Sequence, residues 1–424
     1  KPAPAEELPD PLPEIKFEAR RGRPKKSASD QAKERQQDIE EVKRYLPGLG
    51  LNLLNNTIEY FDDNGNKQQI QGNDLNLMTT KFAIEYNTFI PENRMQVAVK
   101  YVASQNEYCP IRKYLDCCER TAQPHKDWDR LGEVFLGNAA PLANLTLQRF
   151  LIGAVARCYE PGCEMSWLPI LVGAQGVGKS MFSRSLVPTD LFSEVTTNVE
   201  VIAREQYRLH MSWLLELPEI DQHFQHRNIE NFKNMVTTRI DEVRFPYEPH
   251  PKKLKRRFVM IGSTNKNQFL IDPTGNRRFI PLEIGNGFLV PWQRLIQERD
   301  SIWAAAVAAY KRNESYIFTS GEIAERSDYI QQFNEQDAWH DLISDLVKDR
   351  EQITIAELLK GIGIEVKNQD KMNTRRVSDC LQQMGWRRHQ TTQTNKITGK
   401  RKTVRLWMRP LDDPIDEPVH EHDF

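Results

Sequence analysis

Eight residues, Gly173-Ala-Gln-Gly-Val-Gly-Lys179-Ser180, constrain this chain more than any other stretch. They follow a continuous apolar run, Trp167-Leu-Pro-Ile-Leu-Val172, as a strand buried on both faces should read. The spacing GxxxxGK[ST] between an apolar strand and a helix start is the pattern that cradles phosphate. Gly173, Gly176 and Gly178 let the backbone wrap an anion without Cβ clashes. The amides of the loop, through Ala174, Gln175 and Val177, then face the anion together with the positive end of a helix beginning near Lys179. Lys179 is expected to reach the β- and γ-phosphates of ATP, and Ser180 to ligate Mg²⁺.

Such a site also needs an acid near the metal and the attacking water. The apolar segment Trp213-Leu-Leu-Glu216-Leu-Pro-Glu219 ends in two carboxylates about forty residues downstream. Glu216, at the strand tip, suits the Mg²⁺ shell, and Glu219 suits the orientation of water. Which acid does which is open, because an adjacent acidic pair is absent, and both also fit as surface acids at a strand end. A third strand, Phe258-Val-Met-Ile-Gly-Ser-Thr-Asn265, ends in an amide where a ring ATPase touches the γ-phosphate or the water. Beyond it, Asp272-Pro-Thr-Gly-Asn-Arg277-Arg278-Phe279 offers two guanidiniums after a tight turn. One can act as a finger on a neighbouring subunit's nucleotide, a device worth ~10³–10⁵ in rate; the other is expected to be structural.

A chain of 424 residues exceeds one ordinary core and predicts several domains. Residues 1–30, with prolines at 2, 4, 9, 11, 13 and 24, read as a disordered linker. Within it Arg20-Arg-Gly-Arg-Pro-Lys-Lys26 resembles an AT-hook for an A·T-rich minor groove, or is a plain basic tail. Residues 31–160 read as a mostly helical domain or collar. It opens on a polar helix from Ser29 to about Tyr45 and a hairpin over residues 57–70 turning at Asn64-Gly65, and closes on a helix over residues 145–158. Residues 161–330 read as a parallel α/β unit, residues 335–410 as a small helix-rich module ending in basic strands, and residues 411–424 as an acidic tail with six acids and no Lys or Arg. No apolar run approaches the ~20 residues that span a bilayer, so no membrane is expected. The six cysteines form no CxxC pair, which points to reduced structural thiols in the cytoplasm rather than zinc.

The residues quoted above, with Phe150-Leu-Ile-Gly-Ala-Val-Ala-Arg157 and Arg244-Phe-Pro-Tyr247, resemble the virulence-associated protein E family of phage, plasmid and genomic-island proteins. The resemblance runs over roughly residues 108–410, and Asp-Pro-Thr-Gly-Asn-Arg-Arg-Phe is its distinctive signature. That family is similar to superfamily 3 helicases, hexameric AAA+-like rings that move along single-stranded DNA in replication and are often fused to a primase. The resemblance implies an AAA+-like parallel-sheet core and a homo-hexamer working on single-stranded or forked DNA. It implies Walker B for Glu216 and Glu219, sensor 1 for Asn265, and the finger for Arg277 or Arg278. Leu217-Pro218 departs from it, since many relatives carry a small residue between the two acids. No primase motif is visible here, so that activity would need an upstream segment.

In such rings a hairpin just before sensor 1 enters the channel. Arg244, Tyr247, Lys252, Lys253 and Lys255 suit that task, lysines pairing with phosphates and tyrosine stacking on a base; a solvated charged turn is the plainer reading. Residues 371–409 hold eleven Lys or Arg against one acid, Asp379, a net of +10. Helices over residues 353–359 and 374–384, then strands around residues 386–388 and 402–407, resemble a winged helix. Arg375, Arg376, Arg387, Arg388, Lys400, Arg401 and Lys402 are its candidate DNA contacts, unless the module docks protein instead. The favoured function is an ATP-dependent DNA helicase of a mobile element. The alternatives are a P-loop switch that recruits replication partners without moving, and a small-molecule kinase that leaves the basic modules unexplained.

Overall fold

The computed structural model describes residues 27–62, 64–70, 74–196, 205–224, 229–245, 250–270, 276–334, 337–365, 370–394 and 401–409. The basic segment Arg20–Lys26, Tyr247, Lys400 and the acidic tail lie outside them. The chain divides into two compact units, one formed by residues 1–52 and 56–108, the other by residues 53–55 and 109–424.

In the first unit the helix Ala28–Tyr45 starts where Ser27 accepts from the Asp30 amide, the cap expected of a serine before a helix. Strands β1 (Gly50–Asn52), β2 (Thr57–Phe61), β3 (Lys67–Ile70) and β4 (Glu107–Tyr108) form a sheet in the order β3-β2-β1-β4. The expected hairpin is β2–β3, with Ile58 opposite Ile70. Helices Asp74–Glu85 and Glu92–Gln105 complete the core around Phe82, Met95 and Val99. Arg94 holds the first helix through a bidentate pair with Asp38, both contacts at 2.7 Å.

The second unit is mixed α/β. Its strands in chain order are β5 (Leu168–Val172), β6 (Phe192–Glu194), β7 (Leu214–Leu217), β8 (Ile240–Val243), β9 (Lys252–Lys255), β10 (Val259–Thr264) and β11 (Phe279–Glu283). Among the described residues, five form a sheet in the order β11-β5-β10-β7-β6, with every neighbour parallel. Successive side chains of a strand point to opposite faces. Leu171, Leu214, Val259 and Ile261 enter one core with the helices Pro141–Tyr159 and Trp292–Lys311, while Ile170, Leu215, Leu217 and Met260 enter another with Phe224, Phe232 and Phe279. Burial on both faces is why these strands read as unbroken apolar runs. The helices Pro110–Thr121 and Pro141–Tyr159, read from sequence as part of the N-terminal helical segment, contribute Ile111, Leu115, Phe150 and Val155 to the first of these cores.

β8 and β9 pair antiparallel apart from that sheet, with Asp241 opposite Leu254. Further along, β12 (Gln352–Ile353), β13 (Arg387–Thr394) and β14 (Arg401–Met408) form a sheet in the order β12-β14-β13. The helices His340–Val347, Ile355–Gly361 and Lys371–Gln383 close a separate small core on it, built on Ile343, Leu358, Val377, Trp386 and Trp407.

Candidate functional site

The connection leaving β5 runs to β6 past β10 and β7, whereas the connection leaving β10 runs to β11 past β5. The carboxyl ends of β5 and β10 therefore flank the point where the chain reverses direction across the sheet. In open parallel sheets ligands settle in that crevice. Here it is a cleft of about 350 Å³ lined by Gln175, Gly176, Gly178, Lys179, Ser180, Met181, Pro218, Glu219, Ser263, Thr264 and Asn265.

One wall is the glycine loop. Gly176 and Gly178 adopt φ of 82° and 100°, backbone that side-chain-bearing residues rarely take, and the helix Lys179–Ser185 follows at once. The loop is braced from outside, since the Val290 amide donates to the Val177 carbonyl at 3.0 Å. A Cβ on Gly178 would stand 3.0 Å from Val290 Cβ. Lys179 Nζ donates to the Gly173 and Ala174 carbonyls at 2.7 and 2.8 Å and to Asn265 Oδ1 at 2.5 Å. Burial lowers the Lys179 pKa, against an opposing pull from Glu216. Two of the predicted residues, from β5's loop and β10's tip, are thus in direct contact.

Glu216 lies in β7 with the whole residue buried. Its Oε1 accepts from Ser263 Oγ at 3.0 Å, and its Oε2 is buried without a hydrogen-bond partner among the described residues. Burial raises its pKa above the ordinary 4.5, more than the hydroxyls of Ser180 and Ser263 lower it. The buried Glu216 carboxylate and the Ser180 hydroxyl that interacts with it form a donor set of hard oxygens, which suits Mg²⁺. Glu219, by contrast, is exposed. It sits at φ 47° in the turn after Pro218, and Gln222 Nε2 donates to its Oε2 at 2.5 Å. The two acids therefore differ sharply in environment, which the sequence left open.

Four residues at this site were given no role by the sequence reading: Ser263, Asp221, Thr264 and Lys266. Ser263 holds Glu216. Asp221 accepts from Thr264 Oγ1 at 2.9 Å and pairs with Lys266 at 2.8 Å, joining the turns that follow β7 and β10. Burial tends to raise the Asp221 pKa, but Lys266 and Thr264 outweigh it and the net shift is downward. Hydroxyls closing an otherwise apolar strand, at Ser263-Thr264, were the available signal.

The two arginines of the signature part company. Arg277 is exposed, and its carbonyl accepts from Arg326 Nη2 at 3.0 Å; Arg278 is half-buried, its Nε without a hydrogen-bond partner among the described residues. The hairpin candidates Arg244, Lys252, Lys253 and Lys255 are exposed at β8–β9. In the C-terminal part Arg375, Arg387 and Arg388 are exposed. Arg376 is engaged: it pairs with Asp337 at 2.5 Å and lies 3.9 Å from the Trp339 ring centre. Arg401 and Lys402 belong to β14. Among the described residues no helix is long and apolar enough to cross a membrane.

The apo structure of the NrS-1 C-terminal region is similar in fold, with a TM-score of 0.50, 12% identity, and 88% of this chain and 98% of that chain covered. An A-form apo structure of the same region gives a TM-score of 0.47 at 11% identity, over 88% of this chain and 98% of that one. No curated protein sequence matches the chain. Residues 116–336, just over half of the 424, match the virulence-associated protein E-like domain. The chain belongs to the virulence-associated protein E-like family.

Proposed function

We propose that this chain is a DNA-translocating P-loop ATPase of a mobile-element replication system, working as a ring. The observation that carries the reading is the contact of Lys179 with Asn265 in the cleft at the sheet's reversal point, with the buried Glu216 held just behind the lining residue Ser263. In the apo cleft Lys179 spends its three donors on two loop carbonyls and one amide. Those acceptors are exchangeable, so an incoming triphosphate gains the ammonium group without rebuilding the loop. Asn265 then contacts the terminal phosphate or the water, and Glu219, exposed in the turn after Pro218, orients that water. Ser180 and Glu216 would hold Mg²⁺, which when bound neutralises phosphate charge. The exposed Arg277 guanidinium serves as the finger, presented by a turn that Arg326 grips through its carbonyl.

An order of strands with helices on both faces, and a separate basic hairpin entering β10, fit the AAA+-like reading. Three helices against the three-stranded sheet β12-β14-β13 support a winged helix in which Arg375 and Arg387 face DNA while Arg376 anchors the module on Asp337. Displacement of a labelled strand from a forked duplex tests the motor. ATP-dependent release is expected; hydrolysis stimulated by DNA with no strand released would make the protein a recruiting switch.

A further inference from the structure

None of the described residues of β8 and β9 lines the nucleotide cleft, yet a buried network ties them to the roots of two strands that end there. His210 stands four residues before β7, which carries Glu216. Arg256 stands three residues before β10, which ends beside Asn265. Asp241, on β8, takes both: Arg256 donates Nε to Oδ2 at 2.6 Å and Nη2 to Oδ1 at 2.7 Å, and His210 Nε2 lies 3.0 Å from Oδ2. All three residues are 2% exposed. Arg256 Nη1 also donates to the Met235 carbonyl, its amide donates to the Arg239 carbonyl at 3.0 Å, and the His210 ring meets Phe258 edge-on at 5.2 Å. A second buried guanidinium, Arg157, bonds the Phe258 and Met165 carbonyls, both at 3.2 Å.

Bidentate pairs are geometrically specific, and removing one partner of a buried pair is costly. Glu216 and His210 are six residues apart, at most roughly 20 Å of chain at the ~3.3 Å rise of an extended segment. β7 and β10 are paired neighbours in the sheet, and Asp241 is the point at which the roots of both are tied to β8, so a displacement of either strand on filling the cleft would reach the hairpin there. We propose that the His210–Asp241–Arg256 network couples the cleft to the hairpin, with Asp241 a positioning residue for the segment that grips single-stranded DNA. This rests on the motor reading above. It assigns no contact with nucleotide or DNA to any of the three.

His210→Phe tests it in the full chain. The phenyl ring keeps the packing on Phe258 and leaves Asp241 paired with Arg256, so only the link to β7 is cut. The readouts are ATP turnover with and without saturating oligo-dT, oligo-dT affinity without nucleotide, and thermal melting. Basal turnover and DNA affinity are expected to stay within about twofold while the DNA-stimulated increment falls at least about fivefold, the scale of a coupling free energy between sites. Full stimulation in the variant overturns the inference. So does an equal loss of basal and stimulated rates with a lowered melting temperature, the mark of a purely structural pair. Arg256→Lys keeps the charge but loses the fork and is expected to show the same uncoupling. Failure of oligo-dT to stimulate the unsubstituted chain would instead remove the motor reading itself.

Discussion

Gly178 and Gly176 offer a graded test of the phosphate cradle. Both hold positive φ, 100° and 82°, but a Cβ on Gly176 meets nothing within 4 Å, whereas one on Gly178 stands 3.0 Å from Val290 Cβ. For a residue with a Cβ, left-handed backbone costs roughly 1–2 kcal/mol. The crowding against Val290 adds about 1–2 kcal/mol, the lower part of the range for overpacking. Gly176→Ala should therefore cost ~1–2 kcal/mol and Gly178→Ala ~2–4 kcal/mol. The loop is exposed and relieves strain by moving, so the cost appears in triphosphate binding more than in melting. At 1.4 kcal/mol per tenfold this is ~5- to 30-fold weaker ATP–Mg²⁺ binding for Gly176→Ala and ~30- to 1,000-fold for Gly178→Ala. Titration calorimetry with a non-hydrolysable analogue, beside thermal melts, reads both. Equal affinities for the two variants, or unchanged binding in Gly178→Ala, would refute the cradle geometry.

Lys179→Ala should abolish hydrolysis while far-UV circular dichroism and melting stay close to the unsubstituted chain, since the side chain bonds loop carbonyls rather than packing a core. Arg277→Ala should lower turnover by ~10³-fold or more with little change in nucleotide affinity. Mixing it with Lys179→Ala subunits should restore activity across an interface, and absence of rescue at every ratio counts against a finger. Glu216→Gln should stop hydrolysis yet stabilise the apo protein at neutral pH. The sign follows from linkage: burial raises the folded-state pKa above 4.5, so the folded chain binds the extra proton and loses stability as pH rises through that window. Melting curves from pH 4 to 8 check it, and a less stable Glu216→Gln protein at pH 7 would contradict it. Asp241 runs the other way. Burial tends to raise its pKa, but His210 and Arg256 outweigh it and hold it at about 2, so about 2 kcal/mol of stability present above pH 4 should be lost as pH falls toward 2.

What the sequence revealed depended on how each element is buried. β5, β7 and β10 are covered on both faces and read as apolar runs, and β2–β3 announced itself by Asn64-Gly65. The helices and strands beyond residue 350 were legible from periodicity and from the Gly399-Lys400 signal in the sequence between the strands. β11 was missed because Pro281 interrupts it, which an edge strand beside β5 tolerates. β1, β4 and β6 have two or three residues each, too few for any period. Helical periodicity shows which face of residues 110–159 is buried but not what covers it; those helices pack on the parallel sheet. The His210–Asp241–Arg256 network joins residues 15 and 31 positions apart, and nothing local marks such a pairing. The separation of Glu216 from Glu219 likewise needed the turn after Pro218, where a left-handed residue carries the second acid out to solvent.

The central claim is that triphosphate cleavage in the cleft at the ends of β5 and β10 is coupled to gripping a polynucleotide. The ATPase rate of the purified chain with and without single-stranded DNA tests it most directly. The account predicts Mg²⁺-dependent hydrolysis that rises severalfold when the strand is added and vanishes in Lys179→Ala. Hydrolysis indifferent to the strand, or none at all with ATP–Mg²⁺ supplied, would contradict it.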